Sequence, residues 1–329
     1  MLTTDTSSSA LPLDKILAAD CLRPLVGLPW FTPPKAQVRH FNRVSADYTA
    51  IIPIFNQEAI IGRFLKDFFL HSRLPHNIVA IFDCCADESR KAFWAGIETY
   101  ATAKLGSVIE VITPVPYFET ACDNLGFLLA DAPRVIEFQP DLILGTPGYD
   151  AKMMGVLDDP RVFSASGRCG HSLLNVYGPA AGQDLAEFQA EEAALEIGLT
   201  GRKIETDGFD VDDANDTAYF CETVNRGPLA FRLSDLKRLN YFDHANFFLG
   251  DDDHDLNLRA RQDLALQAAY VPMKVRSNLS EGSTRKPRDP LNADIFAKLN
   301  ARENASRLAQ FKSYYIQPAK PEAFEFTSW

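Results

Sequence analysis

"DYTAIIPIFNQEAIIGRFLKDFFL", residues 47–70, decides the fold. Residues 47–55 are a short β-rich apolar run ended by Pro53 and Asn56. The residues that follow place Ile60, Ile61, Phe64, Leu65, Phe68 and Phe69 on one stripe at helical spacing, the pattern of a core-facing helix. Asn56 stands where an N-cap would. A buried strand running straight into an amphipathic helix is one βα unit.

The unit repeats outward from there. "NIVAIFD" (77–83) reads as a second strand, 88–104 as a helix and "SVIEVIT" (107–113) as a third strand. "ETACDNLGFLLAD" (119–131) reads as a helix and "RVIEFQPD" (134–141) as a fourth strand. This alternation predicts an α/β fold with a mostly parallel sheet covered on both faces. Ligands of such sheets bind beyond the carboxyl ends of the strands. Acidic and amide residues recur at those ends: Asn56 and Glu58, Asp83, and Asp141. An isolated Asp there reads as a turn or cap residue; their coincidence points to a site.

No GxGxxG or GxxxxGK[ST] follows the first strand, so neither a dinucleotide fold nor a P-loop is expected. A bound diphosphate would need another partner, and carboxylate-held Mg²⁺ or Mn²⁺ suits that task.

A second stretch carries chemistry. "FFLGDDDHDLNLRAR" (247–261) sets Asp251, Asp252, Asp253 and Asp255 within five positions. Like charges this close raise one another's pKa. Asp255 precedes Arg259 by four residues, a pair that one helix face would bring together. Asp251 reads as solvated or capping, and His254 as a packed residue. An acid-rich helix N-terminus explains one or two of these aspartates, not four. The helix is read on through 269, with "YVPMKV" (270–275) as the next strand.

Composition sets outer limits. The 329 residues are 46% hydrophobic and 11% aromatic, with a net charge of −11. That is enough for a sizeable core, and it argues against a nucleic-acid binder. Six cysteines show no CxxC spacing and no disulfide framework, so a reducing, cytoplasmic setting is expected. No signal peptide and no membrane-length apolar run is seen; docking at the cytoplasmic face of a membrane stays open. Residues 1–45 read as an extension with a short helix near 13–19. Residues 46–150 read as a ligand-binding half, 151–290 as a second half and 291–329 as a helix and tail. Within the second half, 181–199 reads as an acidic helix and 206–216 as a solvated acidic loop rather than a calcium site.

Taken together these segments resemble family 2 glycosyltransferases, which have a GT-A fold. "AIIPIFNQEAIIGRFL" (50–65) is similar to the family's IIPxYNxE start. "IVAIFDCCAD" (78–87) is similar to its VVDDGSTD segment, with Asp83 and Asp87 kept and Phe82, Cys84, Cys85 and Ala86 altered. "DNLGFLLADAPRVIEFQPD" (123–141) resembles the N-x-G helix, here with Asn124, leading to DxD, of which only Asp141 survives in Gln139-Pro140-Asp141. "VNRGPLAFRLSDLKRLNYFD" (224–243) and "FFLGDDDHDLNLRARQDLALQAAYVP" (247–272) resemble the acceptor-side half. The likeness covers about 47–275.

The resemblance implies a hexosyltransferase that moves a sugar from a nucleotide-sugar, a UDP-sugar first, to a glycan, lipid-linked glycan or protein hydroxyl. It implies a donor pocket of Pro53, Phe55, Glu58, Asp83 and Asn124, a divalent cation on Asp141, and inversion with Asp253, or else Asp252, as general base. Arg226, Arg276, Arg285 and Lys286 are candidates to offset substrate phosphates, with Arg226 assigned to the donor. Residues 277–286 are a candidate closing loop. Two rivals keep the fold: a nucleotide-sugar-binding or scaffold protein without catalysis, and a sugar nucleotidyltransferase. The altered segments at 82–85 and 139–141 favour the first. The lack of a glycine-rich basic loop after the first strand argues against the second.

Overall fold

Four strands form a parallel block: β3 (Tyr48–Ile54), β4 (His76–Asp83), β5 (Leu105–Thr113) and β6 (Arg134–Glu137). They lie in the order β5-β4-β3-β6, and every neighbouring pair is parallel. The computed structural model describes residues 9–168, 170–171, 213–249, 252–277, 293–299 and 322–329. The expected acidic helix at 181–199, most of the 206–216 loop, Asp251, Arg285 and Lys286 lie outside them.

The strands' alternation sends side chains to two cores. Ala50, Ile52 and Ile54 of β3 pack with Phe64, Leu65 and Phe68 of α3 (Ile61–His71) and with Phe93 and Ile97 of α4 (Ser89–Tyr100). Ile51, Val79 and Ile81 point the other way, onto Ala121, Cys122 and Leu125 of α5 (Glu119–Leu129). A period of two in the strands thus feeds helices on both faces. Helix and sheet approach closely at Gly126, where a Cβ would stand 2.3 Å from Ile51 Cγ2. Later in the chain, α6 (Tyr149–Val156) adds Met153 and Met154 to the first core, and α7 (Leu233–Arg238) adds Leu233 and Leu236 to the second.

Beyond β6 the sheet becomes mixed. β12 (Leu229–Arg232) lies antiparallel between β6 and β8 (Val162–Ser166), and β13 (Gln267–Tyr270) is parallel to β8. β10 (Thr217–Cys221) and β15 (Glu322–Glu325) complete that side. On the other side β2 (Lys35–His40) pairs antiparallel with β5, and β1 (Ser9–Ala10) with β2. The described residues therefore share one eleven-stranded sheet that crosses the expected boundary at 150. Two ribbons flank it: β7 (Leu142–Leu144) with β14 (Val275–Ser277), and β9 (Gly170–His171) with β11 (Thr223–Val224).

Several expectations are corrected. Residues 9–40 are part of the core: β2 extends the sheet, and Leu13, Cys21, Leu22 and Leu25 are buried beside α5. In this stretch α1 (Asp14–Leu17) and α2 (Arg23–Val26) are single turns. Asn56 caps no helix; it has φ 51° and its Oδ1 accepts the Ala86 N–H at 2.8 Å. Its short side chain tolerates the left-handed region, and α3 starts only at Ile61. β6 ends at Glu137, and 139–141 form a turn into β7. The acid-rich helix stops at Leu264, because Ala265 turns left-handed (φ 55°) and Gln267 enters β13. The tail ends in β15, and the Trp329 indole N–H bonds Asp158. No described helix is long and apolar enough to cross a membrane.

Candidate active site

The carboxyl edge of the parallel block faces α8 (Asp252–Leu264), the helix that opens with the acid run. Asp83 is the last residue of β4 and is buried. Its Oδ1 accepts the Thr113 hydroxyl at 2.8 Å and the Tyr117 N–H at 2.7 Å; Oδ2 accepts the Phe118 N–H at 2.9 Å. Those bonds hold Phe118 at φ 64°, ψ 171°, a region almost reserved for glycine. The structure thus gives Asp83 the task of folding the 113–118 turn.

Glu58 and Asp87 tie the first two βα loops together. Asp87 Oδ2 accepts the Glu58 N–H at 3.0 Å, and Glu58 Oε2 accepts the Glu88 N–H at 3.2 Å. Pro53 and Phe55 are half-buried beside them. Cys84 and Cys85 are free thiols, and burial pushes Cys85 up to about 12, leaving it protonated and inert.

Asn124 is not at this edge. Fully buried, it donates to the Phe242 carbonyl at 2.9 Å and accepts the Phe242 N–H at 3.0 Å. Both ends of its amide are engaged in fixing the 239–244 turn to α5, a structural task in place of the expected ligand contact.

Asp141 lies in the turn after β6 and is buried. The β7–β14 ribbon pairs Leu142 with Ser277, so the Ser277 hydroxyl donates to Asp141 Oδ2 at 2.9 Å. Burial raises the Asp141 pKa, against the Ser277 bond and the positive charge of Arg168. Gln139 is held on both sides, donating to Glu119 Oε1 at 2.6 Å and accepting from Arg168 at 3.4 Å. Among the described residues no three His, Cys, Asp or Glu side chains converge as a metal cage. As a carboxylate, Asp141 is an oxygen donor of the kind that suits a hard divalent cation shared with a ligand's phosphates.

The acid run is more differentiated than its sequence. Asp252 is wholly buried: Oδ2 accepts the Thr120 hydroxyl at 2.6 Å and pairs with Arg226, and Oδ1 accepts the Asp253 N–H at 3.0 Å. Asp253 keeps 6% exposure; Oδ2 accepts the Arg226 N–H at 2.9 Å and Oδ1 the His254 N–H at 2.8 Å. Burial opposes its ionisation, but His254, the Arg226 guanidinium and these two amides outweigh it and hold it below the usual carboxylate range. Burial lowers His254, whose Nδ1 meets the Thr223 hydroxyl at 2.9 Å. Asp255 pairs with Arg259 at 2.8 Å, as the spacing predicts.

Arg226 departs from the donor-binding expectation. It is 4% exposed, with Nη1 at 2.7 Å from Asp123 and 3.1 Å from Glu119, and Nη2 on Asp252. Three carboxylates thus engage Nη1 and Nη2 of a buried guanidinium, and only its Nε has no hydrogen-bond partner. Two acids missed in the sequence complete this interior. Glu137 is fully buried with both oxygens unpartnered, and Asp123 Oδ1 is unpartnered. Burial drives Glu137 well above the carboxylate range, with the negative charge of Asp123 adding to it. Burial likewise pushes Asp123 up to about 7 despite Arg226. The sequence signal for both was slight: Asp123 one turn into a helix, and Glu137 at the end of apolar β6.

No protein-family profile matches the chain, and no curated protein does. Solved glycosyltransferase structures are similar to it. A mannosyltransferase from Pyrobaculum calidifontis, in complex with GDP-Man and Mn²⁺, is 16% identical over 90% of this chain and 82% of its own, with TM-score 0.47. Residues 1–349 of S. aureus TarS, in complex with UDP-GlcNAc, are 12% identical over 80% and 71%, also at 0.47. Glucosyl-3-phosphoglycerate synthase from Mycobacterium tuberculosis, with Mn²⁺, UDP and its product, is 13% identical over 85% and 87%, at 0.45. At such identities the likeness is one of fold alone.

Proposed function

We propose that the chain is a hexosyltransferase that moves a sugar from a nucleotide-sugar, a UDP-sugar first, to a hydroxyl of a glycan, lipid-linked glycan or protein. One observation carries the reading. Gln139, Glu119, Arg226 and Asp253 form a continuous run of contacts at 2.6, 3.1 and 2.9 Å. It joins the Gln139-Pro140-Asp141 turn to the acid run, bringing both to the carboxyl edge where α/β sheets bind ligands.

Asp253 is the base in this reading. Each of its oxygens accepts one N–H, which leaves lone pairs for an acceptor hydroxyl, and its lowered pKa keeps it ionised at neutral pH. As the hydroxyl oxygen attacks the anomeric carbon, its proton passes to Asp253, and the sugar–phosphate bond breaks to release the nucleoside diphosphate with inversion. Asp252 is unsuited, because its oxygens are engaged by Thr120, Arg226 and the Asp253 amide. Asp141 is the residue that would hold Mn²⁺ or Mg²⁺, which would neutralise charge on the departing diphosphate. Asp83 would meet the nucleotide base through the turn it folds, beside Pro53, Phe55 and Glu58. The reading extends to polysaccharide biosynthesis in the cytoplasm or at the cytoplasmic face of a membrane. The rival, a binding protein without turnover, draws on the three hydrogen bonds that already engage Asp83.

Calorimetric titration with UDP, GDP and UDP-sugars, with Mn²⁺ or chelator, tests the donor site. Metal-dependent binding of one nucleotide is expected, and none by any nucleotide would overturn the reading. Asp253→Asn should then keep donor affinity and lose about 10²–10⁴-fold in transfer. A wild-type protein that binds donor and transfers nothing would establish the rival.

A further inference from the structure

Arg226 touches more of the site's carboxylates than any acid does, and it reaches both halves of the site. Its side chain pairs with Glu119 and Asp123 of α5 and with Asp252 of α8, while its main-chain N–H holds Asp253. The guanidinium also lies over the Phe242 ring, 4.9 Å from its centroid. A planar fork of five donors fixes direction as well as charge. Three ion pairs on the guanidinium and one hydrogen bond from the main-chain N–H thus tie the two ends of this residue to the same cluster.

We propose that Arg226 is a positioning residue for Asp253: its ion pairs to α5 and α8 fix the main-chain N–H that orients the Asp253 carboxylate, and it supplies that carboxylate's fixed positive neighbour. The proposal deepens the glycosyl-transfer reading and rests on it only for the use of Asp253 as base. The titratable groups gathered around Asp253 and Arg226 are Glu119 and Asp123 from α5, Glu137 from β6, and Asp252 and His254 on α8. The acids among them oppose its ionisation. His254, whose own ionisation burial opposes, and the Arg226 guanidinium both favour the charged carboxylate. Of the two, only the Arg226 guanidinium carries a charge that does not titrate, which makes it the fixed counter-charge.

The test reads the carboxylate directly. In protein carrying ¹³C-carboxyl aspartate, the Asp253 resonance is assigned by its loss in Asp253→Asn. It is then titrated in wild type, Arg226→Gln and Arg226→Lys. Arg226→Gln should raise the proton affinity of Asp253 about tenfold or more. Arg226→Lys, which keeps the charge and loses the fork, should raise it less. If Arg226→Gln does not fold by near-ultraviolet circular dichroism, Arg226→Lys decides alone. An unshifted Asp253 titration in the folded variants overturns the proposal. Where a donor is turned over, the acid limb of the kcat/KM profile should move up with the resonance; a purely structural role would lower activity and leave that limb in place. Absence of turnover in wild type would remove the transfer reading and leave the resonance arm to stand or fall by itself.

Discussion

Two groups of carboxylates in this molecule are held by opposite means. At the rim, Glu58 and Asp87 accept main-chain N–H groups from each other's loops, next to solvent and with no cation in those contacts. In the interior, Glu119, Asp123, Glu137, Asp252 and Asp253 surround the single guanidinium of Arg226. Water and amides suffice for the first group. The second has too little positive charge, and a proton must make up the rest. Asp83 stands between them: it is buried, like the interior acids, yet its bonds come from two amides and a hydroxyl, as at the rim.

The contrast breaks most sharply at Arg226. Arg226→Met should lower stability by about 3–5 kcal/mol, the usual result of leaving buried charges without their partner, as measured by urea unfolding. Asp83→Asn should cost about 1–3 kcal/mol, because one of two buried amides loses its acceptor and the left-handed Phe118 loses its tether. Asp87→Asn, at the rim, should stay within about 0.5 kcal/mol. A cost at Asp87 equal to that at Asp83 would dissolve the distinction between rim and interior. The subtlest difference lies in pH. Asp123 binds its proton more tightly in the folded chain, about 7 against 3.8. Its contribution is therefore fully present below pH 3.8 and is lost as pH rises through about 7. Asp123→Asn should flatten that decline in unfolding free energy, whereas Asp87→Asn should leave it unchanged.

The sequence made legible what is local. Asp255–Arg259 is an i,i+4 pair and was readable as such. The parallel block was readable because its apolar alternation and helical stripes are each set within about ten residues. What escaped was set from afar. Arg226 is buried by acids 103 and 26 positions away, and nothing near it in the chain says so. Asn124 resembles a ligand contact until Phe242, 118 positions on, takes both ends of its amide. The end of α8 was missed because Ala265 has no local signature for a left-handed turn, where glycine would have announced one. β2 was missed because it gains its partner only at β5.

The strand order has a kinetic consequence. In the parallel block β3, β4 and β5 are neighbours in sequence as well as in space, so each joins after one short crossover. Beyond β6, the order β6-β12-β8-β13-β10-β15 sets no described strand beside the next described strand of the chain. Among the described strands no hairpin fixes register there, and each pairing must close a long loop before it gains anything. The mixed half of the sheet should therefore assemble last. Pulse-labelled hydrogen exchange during refolding should protect β3 and β4 before β10 and β13, and simultaneous protection would show that the sheet condenses as one.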